Sequence, residues 1–361
     1  MKLPYEFIRL PYTFDVKKLS EEVLKYSEKD WVPHPDGFEG NSSIPLLSVN
    51  GEINNKFCGE IKPTIALRQS PYLMQVIASF GEVFGRSRLM RLSPGCEVPM
   101  HSDTSYHWQK RVRIHIPIIT DSDVLFQCEN KNIHMEAGDT WIFDAWKYHK
   151  VENNGKTNRV HLVIDTAGSS AFWEMVSKAE VYSNTENWES QVVERIRYEL
   201  NKNVSILCER YNMPLVMSPG EMDGCIYEVI DELVSVESNN PEEILQVKTI
   251  LAKLSKDWRR LWSLFNAEEA GWESYNELRQ RIFNEVNQLK AGLLISNGAS
   301  LTEMLLYCVL EPSLNTELAG FDSRLEDNTV EKINDGTPVN RNSPCYCGSG
   351  EKFKYCHGKL N

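Results

Sequence analysis

The sequence has no apolar run near the roughly 20 residues that a membrane-spanning helix needs, so no span is expected. Its first residues, MKLPYEFIRLPYTFD, lack the basic start and continuous apolar stretch of a secretory signal. A cytoplasmic setting is the expectation. Positive charge is also scarce. The 39 Lys and Arg stand against 51 Asp and Glu, a net charge of −12, which leaves no strong nucleic-acid signal in the main body. There is no internal repeat and no disulfide framework. Six of the nine cysteines (Cys58, Cys96, Cys128, Cys208, Cys225 and Cys308) stand singly and are expected to be reduced and structural. The other three crowd together near residue 350 and need their own explanation.

The length of 361 residues suits two or three domains. Residues 1–170 are expected to form a double-stranded β-helix, a jelly-roll or cupin-like barrel with flanking helices. Within them, short alternating strands run from Ser87 to Leu92, Glu97 to His101, Val112 to Ile119, Val124 to Cys128, Asn132 to Met135, Thr140 to Phe143, Lys147 to Glu152 and Arg159 to Asp165. Turns carrying Pro94-Gly95, Ala137-Gly138-Asp139 and Asn153-Asn154-Gly155 separate them, as in a sandwich or barrel. Residues 1–13 are expected to add an edge strand, Val16 to Tyr26 and Pro71 to Phe80 to be helices, and 31–62 to be irregular with short strands such as Ile44 to Val49. Residues 171–315 read as an α-helical domain of unknown role, with segments at Gln191 to Asn201, Asp223 to Val236, Pro241 to Phe265, Glu268 to Gly292 and Leu301 to Leu310. Residues 316–341 read as a linker and 342–361 as a small separate module.

Six of the eight histidines fall between Met90 and Thr166. His101-Ser102-Asp103 places two donors on one side of a strand or its exit, where they could chelate one metal. Alone, an H-x-D is also what a polar surface loop looks like. His149 is followed ten residues later by Arg159, across a turn, and an arginine beside a metal could fork onto a carboxylate. Arg111, Arg113 and His115 share one face of their strand, and Arg159, His161 and Asp165 share one face of theirs. Either these faces are solvated or they line an anion pocket.

The order H-x-D, RVRIHIP, G-D-x-W-x-F-D, H-x-V-x-N and R-x-H-L-x-x-D resembles the aspartyl/asparaginyl β-hydroxylase family, Fe(II)- and 2-oxoglutarate-dependent oxygenases. The resemblance covers about residues 85–168. It implies that His101, Asp103 and His149 bind iron, that Arg159 grips 2-oxoglutarate, and that Arg113 and His115 line the co-substrate pocket. The implied chemistry couples oxidative decarboxylation of 2-oxoglutarate by O2 to hydroxylation of a C–H bond. No general base is required and none is nominated. Tyr106, His107 and Trp108 are expected in the substrate pocket, and His134 and His161 in supporting roles. Trp141, Phe143 and Trp146 are expected mainly in the core. The substrate is an amino-acid residue of an unknown protein, a free amino acid or another small molecule. A non-catalytic 2-oxoglutarate or metal sensor is the competing class.

The terminal pattern C-x-C-x8-C-H comprises Cys345, Cys347, Cys356 and His357, a closed tetrahedral set that suits structural Zn(II). So short a segment cannot bury a core, and metal would supply its folding energy. The stretch resembles the SEC-C motif, which implies protein or ribosome contact. Arg341, Lys352, Lys354 and Lys359 make it locally basic.

Overall fold

The computed structural model describes residues 1–35, 37–185, 191–289 and 292–319. The expected zinc ligands Cys345, Cys347, Cys356 and His357, and nearly all of the expected linker, lie outside the described residues.

The strands are β1 (Phe7–Phe14), β2 (Val32–Pro33), β3 (Asn41–Val49), β4 (Ile61–Pro63), β5 (Val83–Leu92), β6 (Glu97–His101), β7 (Val112–Ile119), β8 (Val124–Cys128), β9 (Lys131–Ile133), β10 (Asp139–Phe143), β11 (His149–Asn153), β12 (Arg159–Thr166), β13 (Glu194–Ile196) and β14 (Leu207–Cys208). The helices are α1 (Val16–Val23), α2 (Ile65–Arg68), α3 (Pro71–Ala78), α4 (Tyr106–Lys110), α5 (Ser170–Thr185), α6 (Pro219–Ser235), α7 (Pro241–Phe265), α8 (Trp272–Gln288) and α9 (Leu301–Leu305). A large sheet runs β13-β1-β10-β7-β12-β5-β3-β2, with β14 beside β5 and β4 beside β3, and a small sheet runs β6-β11-β8-β9. Together they form the double-stranded β-helix.

Period-2 patterning sorts the large sheet's side chains between two cores. Ile8, Leu10, Ile114, Ile116, Ile142, Leu162 and Ile164 face outward, under Leu19, Leu73, Val76, Phe172 and Val176 of the covering helices. Phe7, Leu92, Trp141 and Phe143 face inward onto Val124, Phe126 and Val151 of the small sheet. A third core holds the C-terminal helices. In α7, Asn240 caps the first turn by accepting from the Glu242 amide, and Ile244, Val247, Ile250, Leu251, Leu254 and Trp258 form the buried stripe.

Three expectations are corrected. The first concerns length: β3 takes in the expected strand Ile44 to Val49 but starts at Asn41, nine residues all buried. Burial on both faces removes the alternation that marks a strand, and Pro45 stands at a bulge in its pairing with β5, where a missing N–H is tolerated. Gln191 to Asn201 is not a helix, because β13 extends the sheet in parallel beside β1 and turns follow it. The barrel also does not end at 170. Phe172, Val176 and Ala179 of α5 belong to its outer core, and β14 pairs with β5, so the helical part begins near residue 213.

Candidate metal and anion site

His101 closes β6 and His149 opens β11, directly opposite in the ladder. Their rings lie 4.2 Å apart between centroids, and one donor atom from each of His101, Asp103 and His149 falls within 4.8 Å of the others. The imidazole orientation is locally set. His101 Nδ1 is 2.8 Å from the Pro99 carbonyl, and His149 Nδ1 is 2.9 Å from the Lys147 carbonyl. A carbonyl only accepts, so each Nδ1 carries the proton and each Nε2 keeps its lone pair for a metal. Burial pulls His149 down to about 4, which keeps it neutral. The Asp103 amide donates to Ala145 O at 2.9 Å, tying the two donor loops together. Two imidazoles and one carboxylate beside an open cavity fit a facially bound Fe(II).

The cavity measures about 450 Å³ and is lined by Arg86, Arg88, Trp108, Arg113, His115 and Arg159, among others, besides the three donors. Arg159 is buried, and its Nη2 donates to His161 Nδ1 at 2.8 Å. Among the described residues it has no carboxylate partner, and its Nε has no hydrogen-bond partner. Burial pulls its guanidinium down to about 9. Both ring nitrogens of His115 are likewise buried without partners, between Phe126 and Phe143. Burial, and then the charge of Arg159, keep His115 neutral. Buried polar groups are normally paired, so these open valences suit a carboxylate ligand such as that of 2-oxoglutarate.

Arg113 forks onto Asp165, Nε to Oδ1 at 2.8 Å and Nη2 to Oδ2 at 3.2 Å, and lies 4.2 Å from the Trp108 ring centre. Burial raises the Asp165 carboxyl, but Arg113 and His107 hold it far below the usual range. Trp108 lines the cavity. Tyr106 and His107 do not. Tyr106 turns into the helical core with Trp146, and its hydroxyl donates to Glu221. His107 sits behind the wall, its Nε2 donating to Asp165 Oδ2 at 3.2 Å. Both lie on α4, where the helical period sends neighbours to different faces. Arg111 also leaves the face it was expected to share, because it precedes β7 and pairs with Glu209 at 2.7 Å.

Sequence reasoning missed Arg86 and Arg88. The signal was present as alternation in GRSRLMRL, but the strand was started one residue too late to include Arg86. It also missed Asn297, in a loop of the helical part. Its Nδ2 reaches Trp146 O at 2.9 Å, Thr104 Oγ1 at 3.0 Å and Ser102 Oγ at 3.4 Å, bridging the two loops that carry the metal donors. Nothing local in the sequence marks it.

Against known proteins, residues 20–168 match the aspartyl/asparaginyl beta-hydroxylase family. The barrel is a domain of that family. It places the protein among the 2-oxoglutarate-dependent hydroxylases. An L-proline cis-3-hydroxylase 1 from a Streptomyces species is 26% identical over 209 residues, covering 55% of this chain and 68% of that one. Residues 341–359 match the SEC-C motif. A stretch of 29 residues is 66% identical to the protein translocase subunit SecA of Nitrosococcus oceani, covering 8% of this chain and only 3% of SecA. Among solved structures, a 2OG-Fe(II) oxygenase family oxidoreductase from Burkholderia pseudomallei aligns with a TM-score of 0.34 at 12% identity, over 45% of this chain and 85% of that one. A Pseudomonas putida prolyl-4-hydroxylase aligns at 0.31 and 12% identity, over 45% and 92%. No helix among the described residues of the hydroxylase is long and apolar enough to cross a membrane.

Proposed function

We propose that the protein hydroxylates an amino-acid substrate, with Fe(II) held by His101, Asp103 and His149 and 2-oxoglutarate held by Arg159. The observation that carries this reading is the pair of imidazole Nε2 atoms, each oriented by a backbone carbonyl, meeting the Asp103 carboxylate at the cavity wall. Bound Fe(II), 2-oxoglutarate and O2 supply the oxidative chemistry. The chain's own groups bind and orient. Arg159 offers a fork for the distal carboxylate, and His115 offers a neutral ring nitrogen beside it. Phe126 and Phe143 keep water from that end. Arg113, locked to Asp165 and stacked on Trp108, shapes the opposite end. The reading is tested by succinate release from 2-oxoglutarate under air with Fe(II). Release is expected in the wild type and absent in Asp103→Ala, and a wild type that never releases succinate overturns it.

The terminal module is proposed to hold Zn(II) through Cys345, Cys347, Cys356 and His357 and to contact a protein or ribosomal partner. Its support is the ligand spacing and the SEC-C match. Metal analysis is expected to find zinc lost in Cys356→Ala while iron stays, and iron lost in His101→Ala while zinc stays.

A further inference from the structure

The cavity carries cations at two separate ends. In the large sheet Arg159 pairs with Leu92, while Arg88 sits beside Val163 and Arg113 beside Asp165. At about 3.3 Å per residue, Arg159 is about 13 Å along β12 from Arg88's neighbour and about 20 Å from Arg113's. One small dicarboxylate anchored at Arg159 does not account for the far group.

That far group is unbalanced. Arg113 is satisfied by Asp165. Arg86 donates to Asn55 O at 3.0 Å and lies 3.5 Å from the Phe57 ring centre, but its Nε has no partner. Arg88 is 8% exposed, and among the described residues it has no hydrogen bond and no carboxylate partner. Asp165, which also accepts from His107, and Asp103, whose charge reaches Arg86 and Arg113 but is placed to serve a metal, thus face three guanidinium groups, with Asp165 the only carboxylate acting on Arg88 among the described residues. Unpaired buried charge is costly unless an anion enters.

We propose that the Arg86–Arg88–Arg113 cluster binds the carboxylate of the hydroxylation substrate, with Arg88 as its main anchor, and that this substrate is a free amino acid. The proposal rests on the hydroxylase reading above. A volume of about 450 Å³ is near the lower end of small-molecule sites, about 300–1,000 Å³, and it must also take 2-oxoglutarate. What remains suits one amino acid rather than a folded segment of another protein.

The test uses the full-length protein with the twenty free L-amino acids and their carboxamides as probes. Succinate release, oxygen incorporation into the probe, and calorimetric binding to the Co(II)- and 2-oxoglutarate-loaded protein are read in parallel. At least one amino acid is expected to bind, to stimulate succinate release and to gain an oxygen atom, and its carboxamide to do none of these. In Arg88→Gln the KM for that amino acid is expected to rise about 30-fold or more, with a much smaller change in the KM for 2-oxoglutarate. The acid-against-amide comparison needs no variant, so a poorly folding Arg88→Gln does not blunt the test. Equal response to acid and amide overturns the proposal. So does a rise in the KM for 2-oxoglutarate alone, hydroxylation of an acidic peptide but of no free amino acid, or binding by none of the probes. Arg88-dependent binding without any succinate release defeats the hydroxylase reading and leaves the carboxylate site standing.

Discussion

The two walls of the barrel solve different problems. On the small sheet, the candidate metal donors are prepared by their own neighbourhood. Each histidine is oriented by the carbonyl two residues before it, and Asp103 follows His101 by two residues. On the large sheet, Arg159, His115 and Arg88 are brought together by strand pairing across long sequence separations; among the described residues Arg159 Nε and both His115 ring nitrogens are buried without a partner, and Arg88 makes no hydrogen bond. The small wall is satisfied before any ligand arrives, apart from the atoms aimed at a metal. The large wall is not, and its unpaired cations define what must bind.

The sharpest way to break this comparison is Asp103→Ala. Removing the only carboxylate of the donor set should abolish Fe(II) binding and 2-oxoglutarate turnover together, read by metal content and succinate. Arg159→Ala should separate them. Metal should still bind, while the KM for 2-oxoglutarate rises about 30-fold or more, the cost of truncating a buried charge partner. Arg159→Lys should restore little, because an ammonium cannot reproduce the fork. If Arg159→Ala also loses metal, the walls are not independent.

Asn297 gives a smaller effect that tests whether the helical part serves the small wall. Asn297→Ala should weaken metal binding by about tenfold, the lower range for a residue that orients ligands. The visible spectrum of the Co(II) form should shift, with the fold unchanged by circular dichroism. An unaltered spectrum would confine donor positioning to the barrel.

The smallest effect concerns pH. Burial outweighs Asp165 and lowers His107 to about 3 from an ordinary 6.5. The unfolded chain therefore takes up this proton first. The stability from a neutral His107 is present above pH 6.5 and is lost as pH falls towards about 3. Urea unfolding across that window should show the decline, and His107→Asn should flatten it.

Much of the site was legible because its signals are local. The H-x-D and the alternation of Arg113 with His115 need only the geometry of a strand, while the pairing of His149 with Arg159 was read from the order of motifs that resembles the family. Strands β6, β7 and β8 lie where their alternation puts them. Strand β3 was legible only from Ile44 to Val49, since burial on both faces erases the period that would have carried it back to Asn41. Tyr106 and His107 were misplaced because a single helical turn sends adjacent side chains to different cores. Asn297 was invisible because its partners lie some 150 to 195 residues away.

The pairing of β11 with β6 brings His149 to the candidate site, but the sequence by itself put His101 and Asp103 on one side of a strand exit, since strand periodicity needs only near neighbours. It also determined the two-sided patterning that makes the barrel. Only the tertiary structure decided which cations stay unpaired. Arg111 finds Glu209, Arg113 finds Asp165, and among the described residues Arg88 and Arg159 find no carboxylate. Charge pairing in a desolvated interior depends on which strands become neighbours, and strand neighbours are chosen by the whole fold.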